Sequence, residues 1–304
     1  MSLAALYDVP APAKLNLFLH VVGRRPDGYH LLQSVVVLID WCDSLHFERR
    51  TDGKLQRHDL GPALPADDLS LRAARALQQA SGSRLGADLS VMKHVPWGAG
   101  LGGGSSDAAS TLLALNKLWG LHWPRGRLQA IAVTLGADVP FFIGGHNAFV
   151  EGIGEQLHPL PAGALPAQAF AVVKPGQAIA TAAIFGSPLL ARDSDPVIVM
   201  SFLADVQLAA KPTAGSFWDF GRNDLQPPAE ASCPEVTQVA RWLESRFGNS
   251  RMSGSGSAVF ARIGASIGTA GQPMATNWLE DIPAGWAGRL CRRLDQHPLV
   301  DWAS

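Results

Sequence analysis

The sequence predicts an α+β protein in two domains, and three observations carry that expectation. Helical and strand periodicities mix along the chain without strict βαβ alternation. The 304 residues, 47% hydrophobic and 17% charged, suffice for two domains and a sizeable core. A Pro/Ala/Gly-rich stretch, 159–168, reads as a linker between an N-terminal domain, 1–160, and a C-terminal one, 161–304.

The elements follow in order. Residues 13–22 alternate, with Ala13, Leu15, Leu17, Leu19 and Val21 on one face and Lys14, Asn16, Phe18 and His20 on the other. That is the period of a half-buried strand, so Lys14 and Asn16 point the same way. Pro26-Asp27-Gly28 reads as a turn, 33–40 as a more buried strand and 45–50 as an edge strand. Asp67 or Asp68 can N-cap a helix running to about residue 80, with Leu69, Ala73, Ala76 and Leu77 inward. A strand follows over 87–92, then a glycine loop, then a helix from about 105 to 119. The next helix starts near Pro124 and ends at Gly136, so Asp138, just before Val139-Pro140, sits at the mouth of a turn. Beyond the linker the patterns predict a strand over 169–174, a helix over 234–247 closed by Gly248, and a strand over 258–263. The small-residue loop Ser253-Gly254-Ser255-Gly256-Ser257 leads into that strand. A last helix is expected after Pro283, and 264–281 carries little functional signal.

Composition excludes several classes. A formal net charge of −1, with no long Lys/Arg run, argues against a nucleic-acid surface. No apolar run approaches the ~20 residues of a membrane helix. The first residues show neither a signal-peptide core nor an Arg-rich transit pattern. Cys42, Cys233 and Cys291 are odd in number and lack metal-ligand spacing, so reduced thiols in a cytoplasmic protein are expected.

The most informative stretch is Pro96-Trp97-Gly98-Ala99-Gly100-Leu101-Gly102-Gly103-Gly104-Ser105-Ser106, where five glycines fall in seven residues. A loop free of side chains, feeding a helix start, gathers backbone N–H groups and the positive end of a helix dipole, which suit phosphate. A Walker loop is excluded because no lysine follows. Gly98-x-Gly100-x-x-Gly103 formally matches a dinucleotide fingerprint, but no Asp or Glu occurs between Ala108 and Ala137 to hold a ribose. An empty glycine turn explains the loop poorly, because so many glycines cost conformational entropy.

The loop Pro96–Ser106 resembles the phosphate loop of the GHMP kinase superfamily, which takes in galactokinase, homoserine kinase, mevalonate kinase and phosphomevalonate kinase. Pro12-Ala13-Lys14-Leu15-Asn16-Leu17-Phe18-Leu19, running on to Gly23-x-Arg25-x-Asp27-Gly28-Tyr29-His30, is similar to the first motif of one branch, and Leu135-Gly136-Ala137-Asp138-Val139-Pro140 agrees with it. Arg251-Met252-Ser253-Gly254-Ser255-Gly256 resembles the superfamily's third motif. The match is dense over 10–156 and thin beyond 168. Trp97 is bulkier than the family's residue there, and Asn223-Asp224-Leu225-Gln226 carries Gln where the family pattern has Glu.

The resemblance implies a two-domain GHMP-kinase fold with the active site in the cleft between domains. It implies ATP-dependent phosphorylation, with Mg²⁺, of the 2-hydroxyl of a methylerythritol linked to cytidine diphosphate, in non-mevalonate isoprenoid synthesis. Asp138 would accept the hydroxyl proton, with Lys14 beside it as compensating positive charge for the carboxylate and the transferring phosphoryl group. The loop 96–106 would wrap the triphosphate, Ser105 and Ser106 would add hydroxyl donors or help with Mg²⁺, and no metal ligand is assigned. Asp107 would complement the helix dipole in preference to approaching the metal. Tyr29, His30 and Phe185 would form the cytidine site, Lys93 would meet the substrate's phosphates, and Asn16 and Thr181 would add contacts. The expected partners are the small-molecule substrate alone, with no nucleic acid or membrane, in a bacterial cytoplasmic monomer or weak homodimer. Homoserine or mevalonate kinases are rivals, disfavoured because they need no cytosine clamp. A non-catalytic nucleotide binder is the other rival, disfavoured by the presence of both Lys14 and Asp138.

Overall fold

The computed structural model describes residues 3–161, 163–197, 220–263 and 276–304; of the segment 264–281, residues 264–275 lie outside the described part. The first sheet contains β1 (Ala5–Arg24), β2 (His30–Arg50), β3 (Leu55–Asp59), β4 (Gly86–Met92), β5 (Ala148–Glu151) and β6 (Gln156–Pro159). Its path runs β3-β4-β2-β5-β6, with β1 antiparallel to β2 along nearly its whole length. The second sheet has the order β10-β7-β9-β8, from β7 (Ala169–Lys174), β8 (Arg251–Met252), β9 (Val259–Ile263) and β10 (Ala287–Arg292).

Four layers result. Helices α1 (Leu69–Ser81), α2 (Gly103–Leu118), α3 (Arg125–Leu135) and α4 (Val139–Gly144) cover the outer face of the first sheet, sharing a core with Leu38, Phe47 and Leu89. The two sheets pack on each other through Leu15, Val35, Val37 and Ile39 against Phe170, Val172 and Phe260. On the far face of the second sheet lie α5 (Thr181–Phe185), α6 (Gln226–Ser232) and α7 (Pro234–Phe247), whose Val236, Val239 and Leu243 pack on Val173 and Val259. Among the described residues no helix is long and apolar enough to cross a membrane.

This layering corrects the expected half-burial of residues 13–22. Both faces of β1 are covered from Ala11 to Leu19, because the second sheet packs where solvent was expected. Lys14 and Asn16 do share a face, and both are buried. A register irregularity between Pro12 and Ala13 marks where the strand's inward side changes: Ala11 joins the helix-side core, whereas Ala13 and Leu15 join the core between the sheets. Such irregularities re-aim side chains.

Other boundaries also shift. Residues 45–50 are not an edge: β2 is one continuous strand, paired there with β1 on one side and β4 on the other. Asp68 is the N-cap of α1, its carboxylate accepting from the N–H groups of Ser70 and Leu71 at 3.1 and 3.2 Å, while Asp67 pairs with Arg75. Helix α2 starts at Gly103, two residues before the expected start. The helix expected after Pro283 is strand β10 instead, and Gly288 within it lies against Ile282, whose Cδ1 would be 2.1 Å from an added Cβ. Glycine weakens a helix there, and pairing with β7 satisfies the backbone.

Candidate active site

The glycine loop leaves β4 and is pinned from beneath by its apolar side chains. Val95, Ala99 and Leu101 are buried in the core between the sheets. That leaves the loop's glycine backbone for the cavity, and Gly98, Gly100, Gly102 and Ser105 lie on the cavity wall. Gly100 has φ +71°, and a Cβ on it would lie 2.1 Å from the carbonyl oxygen of Ser253. A second loop, 253–257, clasps the first: Ser257 and Ala258 donate N–H to the carbonyls of Gly98 and Ala99 at 3.3 and 3.1 Å, and Ser253 donates its hydroxyl to the Gly100 carbonyl at 3.1 Å. Gly102, at φ +71°, is the N-cap position of α2, and among the described residues no side chain caps that helix. Its first-turn N–H groups thus have no side-chain acceptor, the condition that favours an anion.

Lys14 and Asp138 meet beside this loop. The Lys14 ammonium lies 3.8 Å from Asp138 Oδ2, with Lys14 buried and Asp138 half exposed. Leu101 accepts the Lys14 backbone N–H at 2.9 Å, so strand and loop are tied at this point. The Lys14 ammonium also donates to Asn16 Oδ1, and the Asn16 amide donates to Ser34 Oγ at 2.8 Å. Asp138 stands at the N-terminal boundary of α4, with Val139-Pro140 opening the helix, so the expected extended turn is a helix start.

The cavity, of about 770 Å³, runs from this pair to an aromatic end. His30 and Phe185 stack there, with ring centroids 5.1 Å apart and planes 26° apart. Tyr29 also lines the cavity and is 60% exposed, on a turn in which Gly28 has φ +92°. Thr181 shares a 2.7 Å hydrogen bond with Ser255. Burial lowers the His30 pKa, and the guanidinium groups of Arg192 and Arg24 lower it further.

Glycine loop, ion pair and aromatic end thus line one cavity, in a chain whose relatives are known. Residues 68–146 match the family profile described as GHMP kinases N terminal domain, and 209–269 that described as GHMP kinases C terminal. A 4-diphosphocytidyl-2-C-methyl-D-erythritol kinase of Methylibium petroleiphilum is 60% identical over 305 residues, covering 100% of both chains. The chain belongs to the 4-diphosphocytidyl-2-C-methyl-D-erythritol kinase family. Another relative of that name, from an Acidovorax species, is 56% identical and covers 98% of each chain. A crystal structure of a 4-(cytidine 5'-diphospho)-2C-methyl-D-erythritol kinase superposes with a TM-score of 0.73 at 34% identity, covering 93% of this chain and 98% of that one. This member of the kinase family therefore has the α+β GHMP fold that its motifs implied.

Lys93 stands apart from the cavity wall. Its ammonium lies between the carboxylates of Asp43 and Asp107, and all three side chains are buried. Asp43 also accepts N–H groups from His94 and Val95 at 2.6 and 2.7 Å. The triad joins both ends of the loop, before Val95 and after Gly104, from behind. Asp107 is not in the first turn of α2, so the dipole role gives way to this ion pair. Burial pushes the Asp107 carboxyl up, and Lys93 offsets that only in part. Pro96, Trp97, Gly103, Gly104 and Ser106 belong to the loop or the first turn but are not on the cavity wall; Trp97 is 48% exposed, and Ser106 is fully buried.

Some wall residues went unassigned in the sequence. Gly254, Ser255 and Gly256 face the cavity, and their small-residue run was the available signal. Ile179, Phe141 and Arg24 line it without any local signal. The departure at Gln226 has a simple account in this kinase: its carbonyl oxygen accepts the Met252 N–H at 2.9 Å, an acceptor that Glu would also supply.

Proposed function

We propose that this chain transfers the γ-phosphoryl group of ATP to the 2-hydroxyl of 4-diphosphocytidyl-2-C-methyl-D-erythritol, giving the 2-phosphate and ADP. The observation that carries this reading is the single cavity that joins the glycine loop, the Lys14–Asp138 pair and the His30–Phe185 stack. The name shared by full-length relatives supports it.

In this reading the loop's N–H groups and the Ser105 hydroxyl hold the triphosphate, and most of the catalysis is positioning and electrostatics. Asp138 Oδ2 accepts the hydroxyl proton as the substrate oxygen bonds to the γ-phosphorus and the bond to the β–γ bridging oxygen breaks. The proton stays on Asp138 and the leaving oxygen departs in ADP. Lys14, aimed by Asn16, offsets charge on the transferring group. Tyr29 and the His30–Phe185 stack hold the cytosine ring, a class of contact worth roughly 1–3 kcal/mol per base. Thr181 and Asn16 lie between the two ends. Lys93 acts from behind the loop, holding its ends.

Among the described residues no three His, Cys, Asp or Glu side chains gather into a metal cage. That fits Mg²⁺, which in phosphoryl-transfer sites is held mainly by substrate phosphates, with one or two protein oxygens. Ser105 and Asp138 are the wall oxygens nearest the loop and pair that could serve. When bound, Mg²⁺ supplies charge neutralisation on the phosphate oxygens. The same reading makes this a bacterial cytoplasmic enzyme, monomeric or weakly dimeric.

The test is a coupled ADP-release assay with Mg²⁺-ATP and the cytidyl substrate, beside mevalonate and homoserine. Turnover with the cytidyl substrate alone is expected. Turnover with another alcohol would remove the cytosine site from the reading, and silence throughout with ATP still bound would make the chain a non-catalytic binder.

A further inference from the structure

Arg192 has no part in the reaction as derived above, yet its guanidinium makes four hydrogen bonds at the aromatic end. Nη1 donates to the Leu190 carbonyl at 3.1 Å, and Nη2 donates to the carbonyls of Phe185 and Ser187 at 3.1 and 2.9 Å. Nε donates to His30 Nε2 at 3.1 Å. A guanidinium has donors only and stays protonated, so His30 Nε2 must be the acceptor. The one ring proton therefore sits on Nδ1. Among the described residues nothing else bonds the ring, which lines the cavity with one face on Phe185.

We propose that Arg192 is a positioning residue that locks His30 in its Nδ1–H tautomer, so that the site presents one fixed N–H donor to a pyrimidine edge and selects cytosine over uracil. This rests on reading the aromatic end as the base pocket. Cytosine offers an acceptor at N3, whereas uracil carries a proton there and would set donor against donor. A free histidine could reverse its tautomer and accommodate either base; the bracket on Nε2 removes that freedom. Specificity of this kind comes from penalising the wrong partner. Lysine cannot replace the bracket, because a point charge lacks the planar fork that spans the ring nitrogen and three carbonyls.

Two measurements on the full chain test this. Long-range ¹H–¹⁵N correlation spectra of the histidine rings, with His30 assigned through His30→Gln, are expected to show a protonated Nδ1 and a bare Nε2. The opposite tautomer overturns the proposal and needs no Arg192 variant. Calorimetric titration with CDP and with UDP is expected to favour CDP by about tenfold or more, the scale of one base-edge contact. Arg192→Gln and Arg192→Lys, checked for folding by circular dichroism, are expected to narrow that ratio. Equal binding of CDP and UDP to the unaltered chain, or a ratio unchanged in folded variants, overturns it. Binding of neither nucleotide sinks the base-pocket reading, and this inference with it.

Discussion

Lys14 and Asp138 face each other at 3.8 Å, the lysine buried and the aspartate half exposed. The asymmetry matters chemically. The ammonium is held in place by Asn16 on the same strand face, whereas the carboxylate keeps an open side toward the cavity. Asp138→Asn preserves shape and removes the carboxylate proposed above as proton acceptor. Turnover is expected to fall by about 10²–10⁴, the range for general-base catalysis, while nucleotide affinity is retained. Coupled ADP release and a nucleotide titration on the same preparation check both halves. Unchanged turnover would remove Asp138 from the base role.

Two neighbouring glycines should behave oppositely. Gly100→Ala places a methyl 2.1 Å from the Ser253 carbonyl at a φ of +71°, so the two clasped loops must separate. The backbone strain alone costs about 1–2 kcal/mol, and the KM for ATP is expected to rise. Gly104 lies inside α2, and an added Cβ would meet nothing nearer than Leu69 Cδ1 at 3.8 Å. Gly104→Ala should be neutral or stabilising by about 0.5–1 kcal/mol. Thermal melts and ATP saturation curves of the pair decide the matter.

The Lys93 triad makes a prediction about stability. Lys93→Met leaves Asp43 and Asp107 buried without their cation, and breaking a buried pair costs about 3–5 kcal/mol. Asp107→Asn should cost less, because Asp43 keeps its ammonium partner and burial already pushes the Asp107 carboxyl up. Urea unfolding midpoints give the order. Were Lys93 instead a surface contact for substrate phosphates, Lys93→Met would raise the substrate's KM at unchanged stability.

Acid sensitivity should trace to His297. Its ring is fully buried, Nδ1 accepts the Leu299 N–H at 3.0 Å, and burial lowers its pKa from 6.5 to about 3, with Arg125 adding to the effect. The folded pKa lies below the unfolded one, so the unfolded chain binds more protons between these values. The stabilisation is complete above pH 6.5 and is lost as pH falls toward 3, by about 1.4 kcal/mol per pH unit. From pH 6.5 to 5 this group should account for about 2 kcal/mol. His297→Gln should start less stable and show a flatter acid limb in denaturant titrations. An acid limb as steep as that of the unaltered chain would assign the sensitivity elsewhere.

Local chemistry was readable directly. The glycine run, the cap at Asp68, the strand over 87–92, the helix over 234–247 and the pairing of Lys14 with Asn16 on one strand face follow from periodicity and conformational preference, which act over a few residues. The motifs that supply the cavity wall also stood in the sequence, because each is a run of contiguous residues. Edge status was not readable: Leu45 and Phe47 alternate with His46 and Glu48 whether or not a strand has two neighbours. Nor was the helix expected after Pro283, where pairing with β7 overrides the local pattern.

The glycine run, the aspartate before Val139-Pro140 and the mixed helix-and-sheet class were legible in the sequence, because all are properties of contiguous residues. The tertiary structure alone decided that Lys93 turns to Asp43 and Asp107, that loop 253–257 clasps the glycine loop, and that Arg192 holds His30. The physical reason is that a charged or hydrogen-bonding side chain takes whichever partner the folded layers bring within about 3 Å. Those partners lie tens to hundreds of residues away, beyond the reach of any local pattern.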